Sequence, residues 1–150
     1  MNDLTDSQVK SLLADAIVER IEQMESAMLE IDQVEIPVID RFVNGMYMRE
    51  ITIPKGTLLT GRVHLFDYAD IMLSGDISVA TKDGCVRYTG ANVLIGIAGR
   101  KRAGYAHEDT RWLTVHRVEV ESGDDFVNKF TVTTVKDYLE YSKCQLLQQQ

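Results

Sequence analysis

Hydrophobic positions divide the chain into two regimes. From residue 5 to 29 they recur at three- and four-residue steps: Val9, Leu12, Leu13, Ala16, Ile17, Ile21, Met24 and Met28. That spacing aligns them on one face of an amphipathic helix. Thr5 or Asp6 can cap its start, Gln8 sits three residues after Thr5 as in a capping box, and Leu4 is placed to staple it. A stripe of this length requires a covering surface, either the rest of the chain or a second subunit. From Ile36 the period changes. Pro37 and Pro54 punctuate, and glycines recur between clusters of β-branched and aromatic residues. Strands are predicted near 46–53, 57–65, 70–81, 84–89, 92–97, 102–106 and 111–120.

Two turns separate predicted strands. Lys82-Asp83-Gly84 carries the Asp-Gly signal of a tight hairpin, and Glu108-Asp109-Thr110 reads as a second turn. Residues 127–129 and 131–134 read as extended, a helix follows from about Val135 to Leu147, and the glutamine end frays. Many short strands without intervening helices predict a mostly β protein, a barrel or sandwich. The organisation is then an N-terminal helix over 1–35, a β-barrel over 36–134 and a C-terminal helix with its tail over 135–150.

At 150 residues with 45% hydrophobic content, the chain can bury a core without disulfides or metal. Cys85 and Cys144 are too few and too distant to form a framework, so they read as reduced thiols and the protein as cytoplasmic. The first residues lack the basic-then-apolar character of a signal peptide, and no apolar run is long enough for a membrane span. The net charge of −7 is concentrated: residues 1–35 hold nine acids against Lys10 and Arg20, and the remainder is balanced. An acidic leading segment on a neutral body disfavours nucleic acid. Small anions stay compatible, because Arg100, Lys101 and Arg102 form a basic cluster.

One spacing carries chemistry. Gly56 is followed by Arg62, His64, Tyr68 and Gly75 at intervals of five, one, three and six residues, and Ile97-Ala98-Gly99-Arg100-Lys101-Arg102 stands further on. These segments resemble the two motifs of the cupin superfamily, in which His, His and Glu of the first motif and a His of the second hold a metal. The resemblance implies a cupin-like jelly-roll barrel and places Arg62, His64, Tyr68 and Arg102 at the ligand positions. Only His64 keeps a ligand type. Guanidiniums stay protonated and repel a cation, so no metal and no cofactor is expected. A pocket built this way suits phosphate, nucleotide or carboxylate groups.

On that reading His64, pushed toward its neutral form beside cations, and Tyr68 are the candidate catalytic base and acid. Arg62, Arg102, Tyr105 and His116 are the candidate ligand-binding residues. Arg62 and His64 share one face of their strand; if Val63 and Leu65 face the core instead, both are solvated. The run Lys101-Arg102-Ala103-Gly104-Tyr105-Ala106 through Trp112, Thr114 and His116 also resembles small phage-encoded cupin-like proteins, which implies work in a host cytoplasm. His107 reads as exposed. A metal site using Asp67 and Asp70 with His64 is a further alternative, and Cys85 has no evident role.

The sequence therefore predicts a cupin-like domain binding a small anion in a cationic barrel, with a metal-independent lyase or isomerase as its enzymatic form. Two other functions are compatible. One is a structural or interaction protein, a virion component or an inhibitor of a host protein, working through the acidic helix. The other is a cyclic-nucleotide-type sensor, since Leu73-Ser74-Gly75-Asp76-Ile77-Ser78-Val79 resembles that fold's central hairpin strand. A homodimer or higher homo-oligomer is expected, because pairing hides strand edges.

Overall fold

Thr5 begins the first helix in the computed structural model, which describes residues 4–150. The Gln8 N–H donates to Thr5 Oγ1 at 3.2 Å and the Thr5 N–H donates to Gln8 Oε1 at 2.9 Å, completing the capping box of α1 (Asp6–Met28). The apolar stripe packs in its second half only, where Ile17, Met24 and Met28 are half-buried. Ile21 is buried, whereas Leu12 and Leu13 are exposed. Carboxylates also hold that second half of α1. Glu25 Oε2 accepts from Lys101 Nζ at 2.7 Å and from the Thr60 hydroxyl at 2.5 Å. Glu22 Oε1 accepts from the Val135 N–H at 3.0 Å. Lys101 is 1% exposed, so its charge depends on Glu25 and on the Thr133 carbonyl at 2.9 Å.

The strands are β1 (Val38–Val43), β2 (Met46–Ile53), β3 (Leu58–Thr60), β4 (Val63–His64), β5 (Tyr68–Thr81), β6 (Gly84–Thr89), β7 (Asn92–Gly96), β8 (Ala103–His116) and β9 (Thr131–Val132). All pairings are antiparallel. The main sheet runs β1-β2-β8-β5-β6, with β3 also on β8 and β7 also on β5; β4 and β9 form a separate pair. The long strands β5 and β8 cross the molecule together. Their register shifts three times between Met72 and Ile77, which lets both strands bend as a rolled sheet requires. Gly75 permits the bend. Its φ is +118°, and a Cβ there would lie 2.6 Å from Thr110 Cα.

Three local expectations are corrected. The turn at Glu108-Asp109-Thr110 is a bulged part of the single strand β8. Thr110 Oγ1 accepts from the Asp76 N–H at 3.2 Å, and the two carboxylates stay exposed. The strand expected over 57–65 is interrupted at Gly61, whose N–H donates to the Arg102 carbonyl at 3.0 Å. Residues 127–129 are helical, within α2 (Gly123–Phe130). Ser122 caps that helix through Asp125, and Asp125 pairs with Lys129 one turn on at 2.9 Å. The final helix is α3 (Val135–Gln148), packed against β4 and β9.

The core gathers Ile53, Met72, Ile77, Ala106 and Trp112 between the bent strands. No helix among the described residues is long and apolar enough to cross a membrane.

Candidate functional site

A cavity of about 360 Å³ opens between β2, β3, the bent part of β5, β8 and α2. Strand register arranges its walls in layers. On β2 the residues Arg49, Ile51 and Ile53 alternate onto the cavity face. Arg49 lies opposite Thr114 on β8, and Ile51 lies opposite Trp112. Across β8, Thr114 pairs with Asp70 of β5 and Trp112 with Met72. A polar layer therefore sits one step, about 7 Å, from an apolar one.

The polar layer centres on Arg102. Its Nη1 donates to Asp70 Oδ2 at 2.6 Å and its Nη2 donates to the Tyr68 hydroxyl at 2.9 Å. Asp70 is fully buried and also accepts from the Trp112 indole N–H. The guanidinium lies 5.9 Å from the centre of the Trp112 ring. Burial opposes its charge, yet Tyr68 and Asp70 outweigh that and hold it protonated. Burial likewise raises the Tyr68 phenol above its ordinary value, against the pull of Arg102.

His64 faces the same cavity. The Gly99 N–H donates to its carbonyl at 2.9 Å, and the Leu65 N–H donates to the Phe130 carbonyl at 3.0 Å, so β4 is fixed on both sides. Val63 and Leu65 are buried while Arg62 and His64 line the cavity, so both faces of this strand are used. The His64 ring centre is 4.2 Å from that of Tyr68. Burial, with the fields of His116 and Arg102 behind it, pushes the imidazole down to about 3. It is neutral at physiological pH. Arg62 is exposed, and donates from Nε to Thr131 Oγ1 at 2.7 Å and from Nη1 to Thr133 Oγ1 at 3.4 Å.

Of the other two candidate ligand-binding residues, Tyr105 lies outside the cavity, whereas the His116 ring centre is 5.0 Å from that of Tyr68 and 5.3 Å from that of His64. Tyr105 alternates with Gly104 and Ala106, which face inward, and is itself 43% exposed on the outer surface beside His107. His116 is buried, bonded to Thr114 Oγ1 at 2.9 Å and packed on Phe126. Burial lowers it to about 4. It borders a second hollow of about 500 Å³ on the other side of His64 and Phe126. His107, expected in the open, is half-buried and pairs with the Ser78 hydroxyl at 2.8 Å. Arg49 is the site residue the sequence reading missed. Its signal was a charged residue in the alternating run Tyr47, Arg49, Ile51, Ile53.

The residues at the four metal positions do not fit a divalent cation. Arg62 and Arg102 carry fixed positive charge, the Tyr68 hydroxyl accepts from Arg102, and Asp70 is engaged by Arg102 and Trp112. Among the described residues no three His, Cys, Asp or Glu side chains gather as a metal site.

No family model matches the sequence, and no curated protein matches it. Solved structures do resemble its fold. Ectoine synthase from P. lautus aligns over 68% of this chain and 78% of its own, at 14% identity and a TM-score of 0.54. A cupin superfamily protein from Desulfitobacterium hafniense aligns over 63% and 87%, at 11% identity and a TM-score of 0.49. The cupin domain of Schizosaccharomyces pombe Cnp3 aligns over 61% and 72%, at 15% identity and a TM-score of 0.48. At these identities the likeness is one of fold. The chain is mostly β, a rolled antiparallel sheet with an N-terminal and a short C-terminal helix, and it shares its fold with the P. lautus ectoine synthase.

Proposed function

We propose that the barrel binds a small anionic molecule, held by Arg49, Arg62 and Arg102 beside His64 and Tyr68. One observation carries this reading: three guanidiniums line the cavity and no carboxylate does. Arginine forks engage two oxygens of a carboxylate or phosphate at once. The enzymatic form is a metal-independent lyase or isomerase with His64 as base and Tyr68 as acid. In the free cavity His64 is too weakly basic for that role. Burial is the main cause, with His116 next; a bound anion would relieve only the smaller share that Arg102, Arg49 and Arg62 contribute, so the binding role is the better supported of the two. The two exposed free cysteines accord with a cytoplasmic location.

Calorimetric titration with phosphate-, nucleotide- and carboxylate-bearing compounds tests this. Micromolar binding is expected for at least one class. It should weaken on the order of tenfold or more in Arg62→Met, which loses a charge-assisted contact without unpairing a buried carboxylate. No binding of any class at millimolar concentration would overturn the proposal.

A second reading is supported by the exposed Leu12 and Leu13 on the acidic helix. Here α1 recruits a protein partner or a second copy, and the barrel is scaffold. Deleting residues 1–20 would then abolish assembly while leaving barrel ligands bound.

A further inference from the structure

The walls say more than that the ligand is an anion. Three guanidiniums line the cavity, yet two have carboxylate neighbours. Asp70 Oδ2 is 2.6 Å from Arg102, and Asp40 Oδ1 is 4.0 Å from Arg49. Among the described residues Arg62 makes no ion pair and leans only on threonine hydroxyls. Three cations less two carboxylates leave one net positive charge, which a monoanion balances. A phosphate dianion would leave a surplus negative charge in a half-enclosed space.

Beyond the charged layer the wall is apolar. Ile51, Ile53, Leu59, Ile77, Val79 and Trp112 continue from it along the same cavity, and all belong to or pack against the hydrophobic core. A sugar or ribose placed there would lose hydroxyl hydration without gaining partners. A hydrocarbon body would gain by burial. Two independent features, net charge and the polar-to-apolar order along β2, thus point to one chemical class. We propose that the occupant is a monocarboxylate with a compact aliphatic or aromatic body, its carboxylate at Arg62 and Arg49 and its body against Ile51 and Trp112. This rests on the reading of the cavity as an anion site.

Trp112 is the only tryptophan of the chain and lines the cavity, so its emission reports occupancy. Hexanoate and phenylacetate should change it saturably in the full-length protein. Their affinity should exceed by at least tenfold that of acetate, which has the head without the body, and of ribose 5-phosphate. Arg62→Met should weaken hexanoate on the order of tenfold. Ile51→Thr should weaken hexanoate severalfold and leave acetate unchanged. Tighter binding of ribose 5-phosphate than of hexanoate would overturn the inference and leave the anion site standing. Equal binding of hexanol and hexanoate would show that charge plays no part and overturn both; equal binding of hexanoate by the wild type and Arg62→Met would overturn the placement of the carboxylate at Arg62. Binding of none of these anions would also overturn the inference; failure of the broader calorimetric screen as well would remove the anion site.

Discussion

Arg102 and Asp70, 32 residues apart in sequence, meet at 2.6 Å beneath the cavity, with Asp70 fully buried. The pair sets the charge of the site, because it turns the innermost arginine from a free cation into half of a buried ion pair. It also orients Trp112 and Tyr68, which bond to opposite halves of the pair. Removing one partner strands the other. Asp70→Asn and Arg102→Met should each cost on the order of 3 kcal/mol. The double variant should cost less than their sum, with a coupling of about 1–3 kcal/mol. Urea denaturation of the four proteins measures this, and additive losses would refute the coupling.

His64 and His116 make stability depend on pH. Both have folded values, about 3 and about 4, below that of an unfolded histidine, about 6.5. The unfolded chain therefore binds protons that the folded chain refuses. Their contribution is complete above about pH 6.5 and is lost as pH falls toward 4 and then 3. Each imposes a slope approaching about 1.4 kcal/mol per pH unit inside its window. Between pH 7 and 5, above most carboxylate titrations, His116→Gln should reduce the measured slope by roughly half. An unchanged slope would exclude this origin.

The docking of α1 rests on a buried charge as well as on the packed half of its stripe. Lys101 is sealed beneath the helix with Glu25 at 2.7 Å. Glu25→Gln should lower stability on the order of 3 kcal/mol, and Lys101→Met should be better tolerated because it leaves no buried cation. Thermal melting compares the two. Greater damage from Lys101→Met would reverse the assignment.

Gly75, at the register shifts between the paired strands β5 and β8, has no room for a side chain. A Cβ there would lie 2.6 Å from Thr110 Cα and 2.7 Å from the Asp109 carbonyl, in a left-handed backbone conformation. Gly75→Ala should cost more than about 2 kcal/mol, visible as a lowered urea midpoint. A midpoint within error of the wild type would mean the bend relaxes freely.

That glycine also shows where sequence reading succeeds. Its spacing from Gly56 is part of the motif whose resemblance to the cupin superfamily implied the barrel. The spans of β2 and β6 coincide with the predicted 46–53 and 84–89 because Pro54 and the Asp83-Gly84 turn mark their ends. Strand β1 was legible but unread: Asn44-Gly45 forms its two-residue hairpin, with Gly45 at φ +77°. Helix α2 was signalled by the Ser122 cap and the Asp125–Lys129 spacing, yet its β-branched surroundings pointed to extended chain. Arg62, His64 and Arg102 line one cavity, and Tyr68 stands behind it, bonded to Arg102. Arg49 showed only as a charge in an alternating run and Asp70 only as an alternative metal ligand; their actual partners depend on which strands pair and at what register. That is long-range information no local pattern carries.

The central claim is that a cation cradle has become an anion cradle, and the contents of the purified protein test it most directly. Metal analysis and native mass spectrometry of the wild type and Arg62→Met should find a small anion retained by the first and lost from the second. A stoichiometric divalent ion, released by His64→Ala, would contradict it.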